Sequence, residues 1–283
     1  MTIAIAGHFT EGVVFAADSA VSYSEGGAIS QVYEGAQKIY HIGLKADCSD
    51  SPYGAMVCGT ASFAGQSWRN VFASFYRASG GANLDEATKT AKSLVQFLEK
   101  QQPDLDKRDQ AGVFLAGFGT NDSAVRCFRI DAKHLAITPV PPMSVQFDGI
   151  PHVVQRLLFG IDDQTIQNVK QAFAGITVDV QDGAGTKSLP LADVVLQVIQ
   201  RVSLKCEPDV DMPLRDAIDY VHFLTYSTIK YFKFGHGAKV CGGEIELAAI
   251  TLDRGFRRIR RKPLDVCLPV AGYAERRGAY IHE

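Results

Sequence analysis

Residues 2–19 read TIAIAGHFTEGVVFAADS. Ile3, Ile5 and Phe9 occupy the odd positions of an alternating run, the period of a strand with a face in a core. Thr10-Glu11-Gly12 supplies a tight polar turn, and Val13–Ala17 is an apolar run of strand length. Two such runs around a short turn predict a hairpin. Chain termini are commonly loose, yet here a core strand begins one residue after the initiator Met1. Thr2 is then either an ordinary first strand residue or the reason for the arrangement.

The 283 residues are 46% hydrophobic and 21% charged, an ordinary globular balance with length for a sizeable core. A net charge of -2 gives no reason to expect nucleic acid or an anionic membrane surface as a partner. No basic segment precedes a long apolar stretch near the start, so no signal peptide is expected. The longest apolar clusters, such as Val13–Ala17 and Leu247–Ile250, are strand-sized, well short of the roughly 18 residues of a membrane span. Cys48, Cys58, Cys127, Cys206, Cys241 and Cys267 form no CxxC pair and meet no histidine at zinc-finger spacing. They read as scattered reduced thiols of a cytoplasmic protein, and no metal site is expected.

Beyond the hairpin, Ser22–Gly27 reads as a loop, and Gln37–Ile42 and Tyr53–Gly59 as paired strands. Ser62 opens a helical pattern with Trp68, Val71, Phe72, Phe75 and Tyr76 at helical spacing. Asn83 is the expected cap of a helix running to Gln101, with Ala87, Ala91, Leu94, Val95 and Leu98 as its apolar stripe. Ala111–Phe118 and Ala124–Ile130 predict a second hairpin, and Leu135–Val140 a further strand stopped by Pro141-Pro142. A helical region follows from His152. The polar, glycine-containing stretch 177–188 reads as an inserted loop. Leu189–Leu204 and Leu214–Phe232 read as helices, the latter with Tyr220, Phe223, Tyr226, Ile229 and Phe232 as its core face, and Glu244–Leu252 as an alternating strand. Strands and helices are grouped rather than strictly alternating, which argues for α+β layers with antiparallel sheets.

The layout and the local sequences resemble the proteasome β-subunit type of N-terminal-nucleophile hydrolase. In that family the mature chain begins with Thr, and a G-V-V-x-A-A-D-S segment follows at fixed distance. Here Thr2 is followed by Gly12-Val13-Val14-Phe15-Ala16-Ala17-Asp18-Ser19, with the Thr-to-Asp spacing matched without a gap. Lys38 precedes Ile39-Tyr40 as the family lysine does, a few residues later. Cys58-Gly59-Thr60-Ala61-Ser62 is similar to the family's turn into its first helix, and Cys241-Gly242-Gly243 to its S-G-G turn. The resemblance spans residues 2–76 and 241–255. It implies a four-layer αββα sandwich in one domain over 1–283, with an insertion near 170–210 and a tail from about 263. It also implies a peptide or unfolded-protein substrate, self-association into rings, no cofactor, and an ATPase partner left open.

The chemistry stands beside the resemblance. A threonine hydroxyl needs an adjacent base to attack an amide. Once Met1 is removed, Thr2 carries its own base, the free α-amine, whose ordinary pKa is near 7.7–8.0. Lys38 is the candidate ammonium that lowers it. Asp18 is the candidate carboxylate holding Lys38, and backbone N–H groups at the Cys58-Gly59 turn are candidates for the oxyanion. The predicted catalytic set is therefore Thr2, Asp18, Lys38 and Gly59. Taken singly, each has an ordinary reading: Thr after Met is common, Asp favours turns, a strand-edge Lys is usually solvated, and Gly59 can be a turn alone.

The family's G-S-G turn at its third helix corresponds to Phe147-Asp148-Gly149-Ile150-Pro151-His152, without a serine; Asp148 or His152 is the available substitute. Ala238 stands where the family has an Asp, and Cys241 at the serine position of its S-G-G turn. Alternatives are a noncatalytic ring or scaffold protein on the same fold and a nonpeptide amidase on the same chemistry. A cysteine nucleophile, Cys58 or Cys241 with His152, His222 or His236, is a weaker candidate. The basic run Arg257–Lys262 reads first as a solvated strand or subunit contact.

Overall fold

The computed structural model describes residues 2–25, 28–45, 47–79, 86–182, 185–209, 211–235 and 241–260. In chain order the elements are β1 (Ile3–Phe9), β2 (Gly12–Ala17), β3 (Val21–Glu25), β4 (Ala28–Tyr33), β5 (Ile39–His41), β6 (Gly54–Gly59), β7 (Ser62–Phe63), β8 (Gln66–Ser67), α1 (Trp68–Ala78) and α2 (Ala87–Gln101). There follow β9 (Ala111–Gly117), β10 (Arg126–Asp131), β11 (Ala136–Pro139), β12 (Ser144–Gly149), α3 (His152–Phe159), α4 (Asp163–Ala172), β13 (Thr177–Asp182), β14 (Gly185–Pro190), α5 (Leu191–Val202), α6 (Leu214–Phe234), β15 (Glu246–Thr251) and β16 (Gly255–Arg260).

Two five-stranded antiparallel sheets dominate, ordered β12-β1-β2-β15-β16 and β11-β10-β9-β6-β5. Three apolar layers separate four layers of structure. Ile3, Ile5, Val14 and Ala16 meet Val154 and Leu158 of α3 and Val221 and Leu224 of α6. Ala4, Ala6, Val13, Phe15 and Ala17 face Ile39, Met56, Phe114 and Ala116 across the space between the sheets. Ala55, Val57, Val113 and Leu115 meet Phe72 and Phe75 of α1 and Leu94 and Leu98 of α2. This is the expected α+β, four-layer αββα sandwich. Both faces of β1 are buried, so its alternation is one of size: isoleucines toward the helices, alanines toward the facing sheet. Sheets stack about 10 Å apart, and small residues on one inner face leave room for Phe15, Met56 and Phe114. Each buried isoleucine contributes roughly 1.5–3 kcal/mol.

The opening hairpin forms as its pattern predicts, with Ala4 opposite Ala17 and His8 opposite Val13. The buried faces of α1 and α2 also match their stripes, with Trp68, Val71, Phe72 and Phe75 on one and Ala87, Ala91, Leu94 and Leu98 on the other. Asn83 lies outside the described residues; the N–H of Ala87 is instead bound by the Asp122 carboxylate at 2.8 Å.

Several expectations are corrected. Ser22, Tyr23, Ser24 and Glu25 lie on β3, paired to β4, rather than in a loop; Gly26 and Gly27 lie outside the described residues. Ser62 does not open a helix: Ala64 and Gly65 both have positive φ, the geometry of a two-residue hairpin turn, and β7–β8 intervenes before α1. The stretch 177–188 is the hairpin β13–β14, its Val178 and Val180 alternating with Thr177, Asp179 and Gln181. Residues 144–149, unassigned in the pattern after Pro141-Pro142, form β12, an edge strand paired to β1. On α6 the buried face is Ala217, Val221, Leu224, Thr225 and Thr228, while Phe223 and Tyr226 are exposed. Small and branched residues let the helix lie close on β1 and β2; the aromatics flank that contact. The basic run lies partly on β16, where Arg257 and Arg260 are exposed, as a solvated strand. Residues 261 onward, including Lys262, lie outside the described residues.

Candidate active site

The site forms where the first hairpin ends. Antiparallel register decides which residues sit side by side. With Ala4 opposite Ala17, Ile3 meets Asp18: the Ile3 N–H donates to Asp18 Oδ1 at 3.1 Å and the Asp18 N–H to the Ile3 carbonyl at 3.2 Å. The spacing from Thr2 to Asp18 is thus a geometric requirement of the hairpin. Thr2 is 6% exposed and Asp18 fully buried.

A buried carboxylate needs donors for its lone pairs, and Asp18 has four. Oδ1 takes the Ile3 N–H and the Lys38 ammonium, the latter at 2.5 Å. Oδ2 takes the Ala20 N–H at 3.3 Å and the Gly242 N–H at 3.0 Å. The Lys38 ammonium also donates to the Ala20 carbonyl at 2.6 Å. An ammonium has three donors, so one N–H of Lys38 has no partner among the described residues.

The Gly242-Gly243 turn braces this pair. Gly242 accepts from Ser19 N–H at 3.2 Å while donating to Asp18. Gly243 has φ of +74°, and a Cβ there would lie 2.4 Å from Ser19 Oγ. The second glycine of the turn therefore has a physical basis: at Gly243 the backbone lies too close to Ser19 for a side chain, whereas Gly242 has room for one.

Glu246, the first residue of β15, is a site residue that the sequence reading does not single out. It is 3% exposed, and its Oε2 accepts the backbone N–H groups of Lys38 and Ile39, each at 2.9 Å. The available signal was an acidic residue heading an otherwise apolar strand, Leu247–Ile250.

Thr2 is anchored by its own carbonyl, which accepts the Ile150 N–H at 3.0 Å. A cavity of about 210 Å³ opens beside it, lined by Thr2, Lys38, Gly59 and Thr60, with Tyr40, Val57 and Trp68 supplying apolar wall. Gly59 has φ of +104°, and a Cβ there would strike the Gln110 carbonyl at 2.5 Å. Thr2, Lys38 and Gly59 thus line one cavity, and Asp18 lies behind it, bound to Lys38. The Thr60 hydroxyl oxygen is buried and has no hydrogen-bond partner among the described residues.

Of the two expected substitutes for the missing serine, Asp148 is engaged elsewhere and His152 faces outward. Asp148 is bound by Arg129 Nε at 2.8 Å, from β12 to β10 across the two sheets. His152 is exposed at the start of α3. Ala238 and His236 lie outside the described residues. The cysteine alternative also loses ground. Burial first, then Asp148, pushes the Cys58 thiol up to about 12, and burial followed by Asp18 does the same to Cys241. Both stay protonated near neutral pH, and the thiolate is the nucleophile. His222 bonds Arg260 rather than either cysteine. The Tyr40 hydroxyl, which donates to the Gln37 carbonyl at 2.5 Å, is pushed up to about 12 by burial and by Glu246. Among the described residues no cluster of three His, Cys, Asp or Glu is placed to hold a metal. No described helix is long and apolar enough to cross a membrane.

Two antiparallel sheets face to face with helices outside form a proteasome-like sandwich fold. Among solved structures the chain is similar to a mutant Anbu from Hyphomicrobium sp. strain MC1, with 12% identity and a TM-score of 0.54 over 93% of this chain and 88% of the other. It is likewise similar to Anbu, an ancestral beta-subunit, from Yersinia bercovieri, with 12% identity and a TM-score of 0.54 over 92% and 88%. No protein-family model and no curated protein matches the sequence.

Proposed function

We propose that the chain is a threonine-type N-terminal-nucleophile hydrolase of amide bonds, acting on peptides or unfolded protein once Met1 is removed. The observation that carries this reading is the Lys38 ammonium, held at 2.5 Å by a fully buried Asp18 and lining the same cavity as Thr2.

In the proposed reaction the Thr2 α-amine takes the proton of its own hydroxyl as Oγ1 bonds to the substrate carbonyl carbon. The carbonyl electron pair moves to oxygen, where backbone N–H groups at Gly59 stabilise the charge. The C–N bond breaks, the leaving amine takes the proton from the Thr2 ammonium, and a threonyl ester remains. Water then attacks the ester with the same amine as base, releasing the acid and restoring the hydroxyl. Lys38 keeps the amine neutral by charge repulsion, and Asp18 keeps Lys38 in place. The chain's own residues supply every proton transfer.

The cavity wall is mostly apolar, and Lys38, its one charged side chain among the described residues, is already paired with Asp18. That favours an uncharged substrate group beside the scissile bond, because a second charge would enter without a counter-ion. Self-association belongs to this reading, since a subunit-type fold enclosing its sites would spare folded proteins. Light scattering at micromolar concentration checks it, a clean monomer counting against it.

The deciding experiment is the intact mass of the purified protein before and after incubation with a β-lactone or epoxyketone. Loss of Met1 with one adduct per chain is expected. Retained Met1 without an adduct would leave the amine locked in a peptide bond and reject the reading.

A further inference from the structure

We propose that Glu246 is a positioning residue for the reaction proposed above: by gripping the backbone of Lys38 and Ile39 it fixes how far the Lys38 ammonium reaches toward Thr2.

Glu246 is an expensive group in its place. A carboxylate buried this deeply loses its hydration and must recover it from donors. Among the described residues no cationic side chain lies within ion-pair distance, and its recorded partners are the two consecutive N–H groups at 2.9 Å. Charge-assisted bonds of this kind are about twice as strong as neutral ones. The remainder of β15, Leu247, Ala248, Ala249 and Ile250, shows that this strand otherwise carries apolar residues.

The grip falls where the scaffold is thinnest. Lys38 sits just before β5, a three-residue edge strand paired only with β6. Its backbone is otherwise tied by the Val57 N–H to its carbonyl at 2.9 Å. The segment 242–246 therefore holds both members of the buried pair: Gly242 binds the Asp18 carboxylate, and Glu246 binds the backbone from which Lys38 extends. A change in either shifts the ammonium relative to Thr2. The other ionisable groups around the pair are Tyr40, Cys58, Cys241 and Asp148, with Arg69 near Tyr40, Arg129 on Asp148 and Arg258 on the Ile39 carbonyl.

The test is the rate of Thr2 acylation by a β-lactone, read by intact mass per folded chain across pH 5.5–9, for the wild type and three variants. Glu246→Leu keeps bulk and loses the acceptor. Glu246→Asp keeps the charge but is one methylene short. Glu246→Gln keeps a carbonyl acceptor at the same reach. Misplacement of a catalytic group by about 1 Å costs on the order of 100-fold, so the Leu and Asp variants are expected to lose roughly 10–100-fold. Their acidic limb should move to higher pH, because a displaced ammonium no longer lowers the amine's pKa. The Gln variant should recover most of that loss and restore the limb. A purely structural role would lower the folded fraction without moving the limb. Wild-type rate and limb in Asp and in folded Leu protein, or a Gln variant as poor as Leu, would overturn the proposal while leaving the hydrolase reading intact. A wild-type protein that forms no adduct overturns both.

Discussion

Gly149 presents no side chain where one would strike Thr2: a Cβ built on it lies 1.7 Å from the Thr2 carbonyl oxygen, and its φ is +96°. The next residue, Ile150, donates its N–H to that same oxygen at 3.0 Å. The end of β12 thus holds Thr2 by close backbone approach. Gly149→Ala is expected to lose about 1–3 kcal/mol, from strain in a left-handed conformation and displacement of the contact. Denaturant midpoints measure this, and the acylation rate of Thr2 should fall with it. A fully stable variant with unchanged acylation would remove Gly149 from the account of how Thr2 is held.

Thr2→Ala should abolish the covalent adduct and lower amide turnover by about three orders of magnitude or more, since both hydroxyl and reaction path are gone. The variant should keep its melting temperature within a few degrees, because Thr2 contributes little apolar burial. Thr2→Ser keeps a hydroxyl and should remain acylable at a reduced rate. Equal turnover in the Ala variant would assign any activity to another residue.

Lys38→Met leaves the Asp18 carboxylate buried without its cation. Removing one partner of a buried pair typically costs about 3–5 kcal/mol, and urea unfolding should show a loss of that order. Replacing both partners, Asp18→Asn with Lys38→Met, should cost less than the sum of the single changes, because no bare charge remains. Additive losses would mean that the 2.5 Å contact is not the coupling between them.

His41 supplies a pH dependence of stability. Burial lowers its pKa below the ordinary 6.5, more than the Ser51 carbonyl at 2.9 Å and Asp50 at 3.7 Å raise it. The unfolded chain therefore takes up the proton first as pH falls. Its contribution is complete above about pH 6.5 and is lost as pH drops toward the folded value, with a slope of at most about 1.4 kcal/mol per pH unit. Unfolding midpoints at pH 7.5 and 5.5 should differ more in the wild type than in His41→Gln. An identical difference would show that His41 does not carry this limb.

The first hairpin and the buried faces of α1 and α2 were legible in residue order, because a strand alternates every second residue and a helix every three to four. The four-layer sandwich and the grouping of Thr2, Asp18, Lys38 and Gly59 as a candidate site came from the family resemblance, and the hairpin register accounts for one part of it, the placing of Asp18 beside Ile3. Three-dimensional packing alone decided the rest. It bound Asp148 to Arg129 across two sheets, so that the residue nearest the family serine position is occupied. It turned α6 so that Val221 and Leu224, rather than Phe223 and Tyr226, meet the sheet. It brought Glu246 to the backbone of Lys38, more than two hundred residues away in the chain. Such pairings depend on the stacking and twist of whole sheets, which no local pattern encodes, and at this cleft they join the beginning of the chain to a strand near its end.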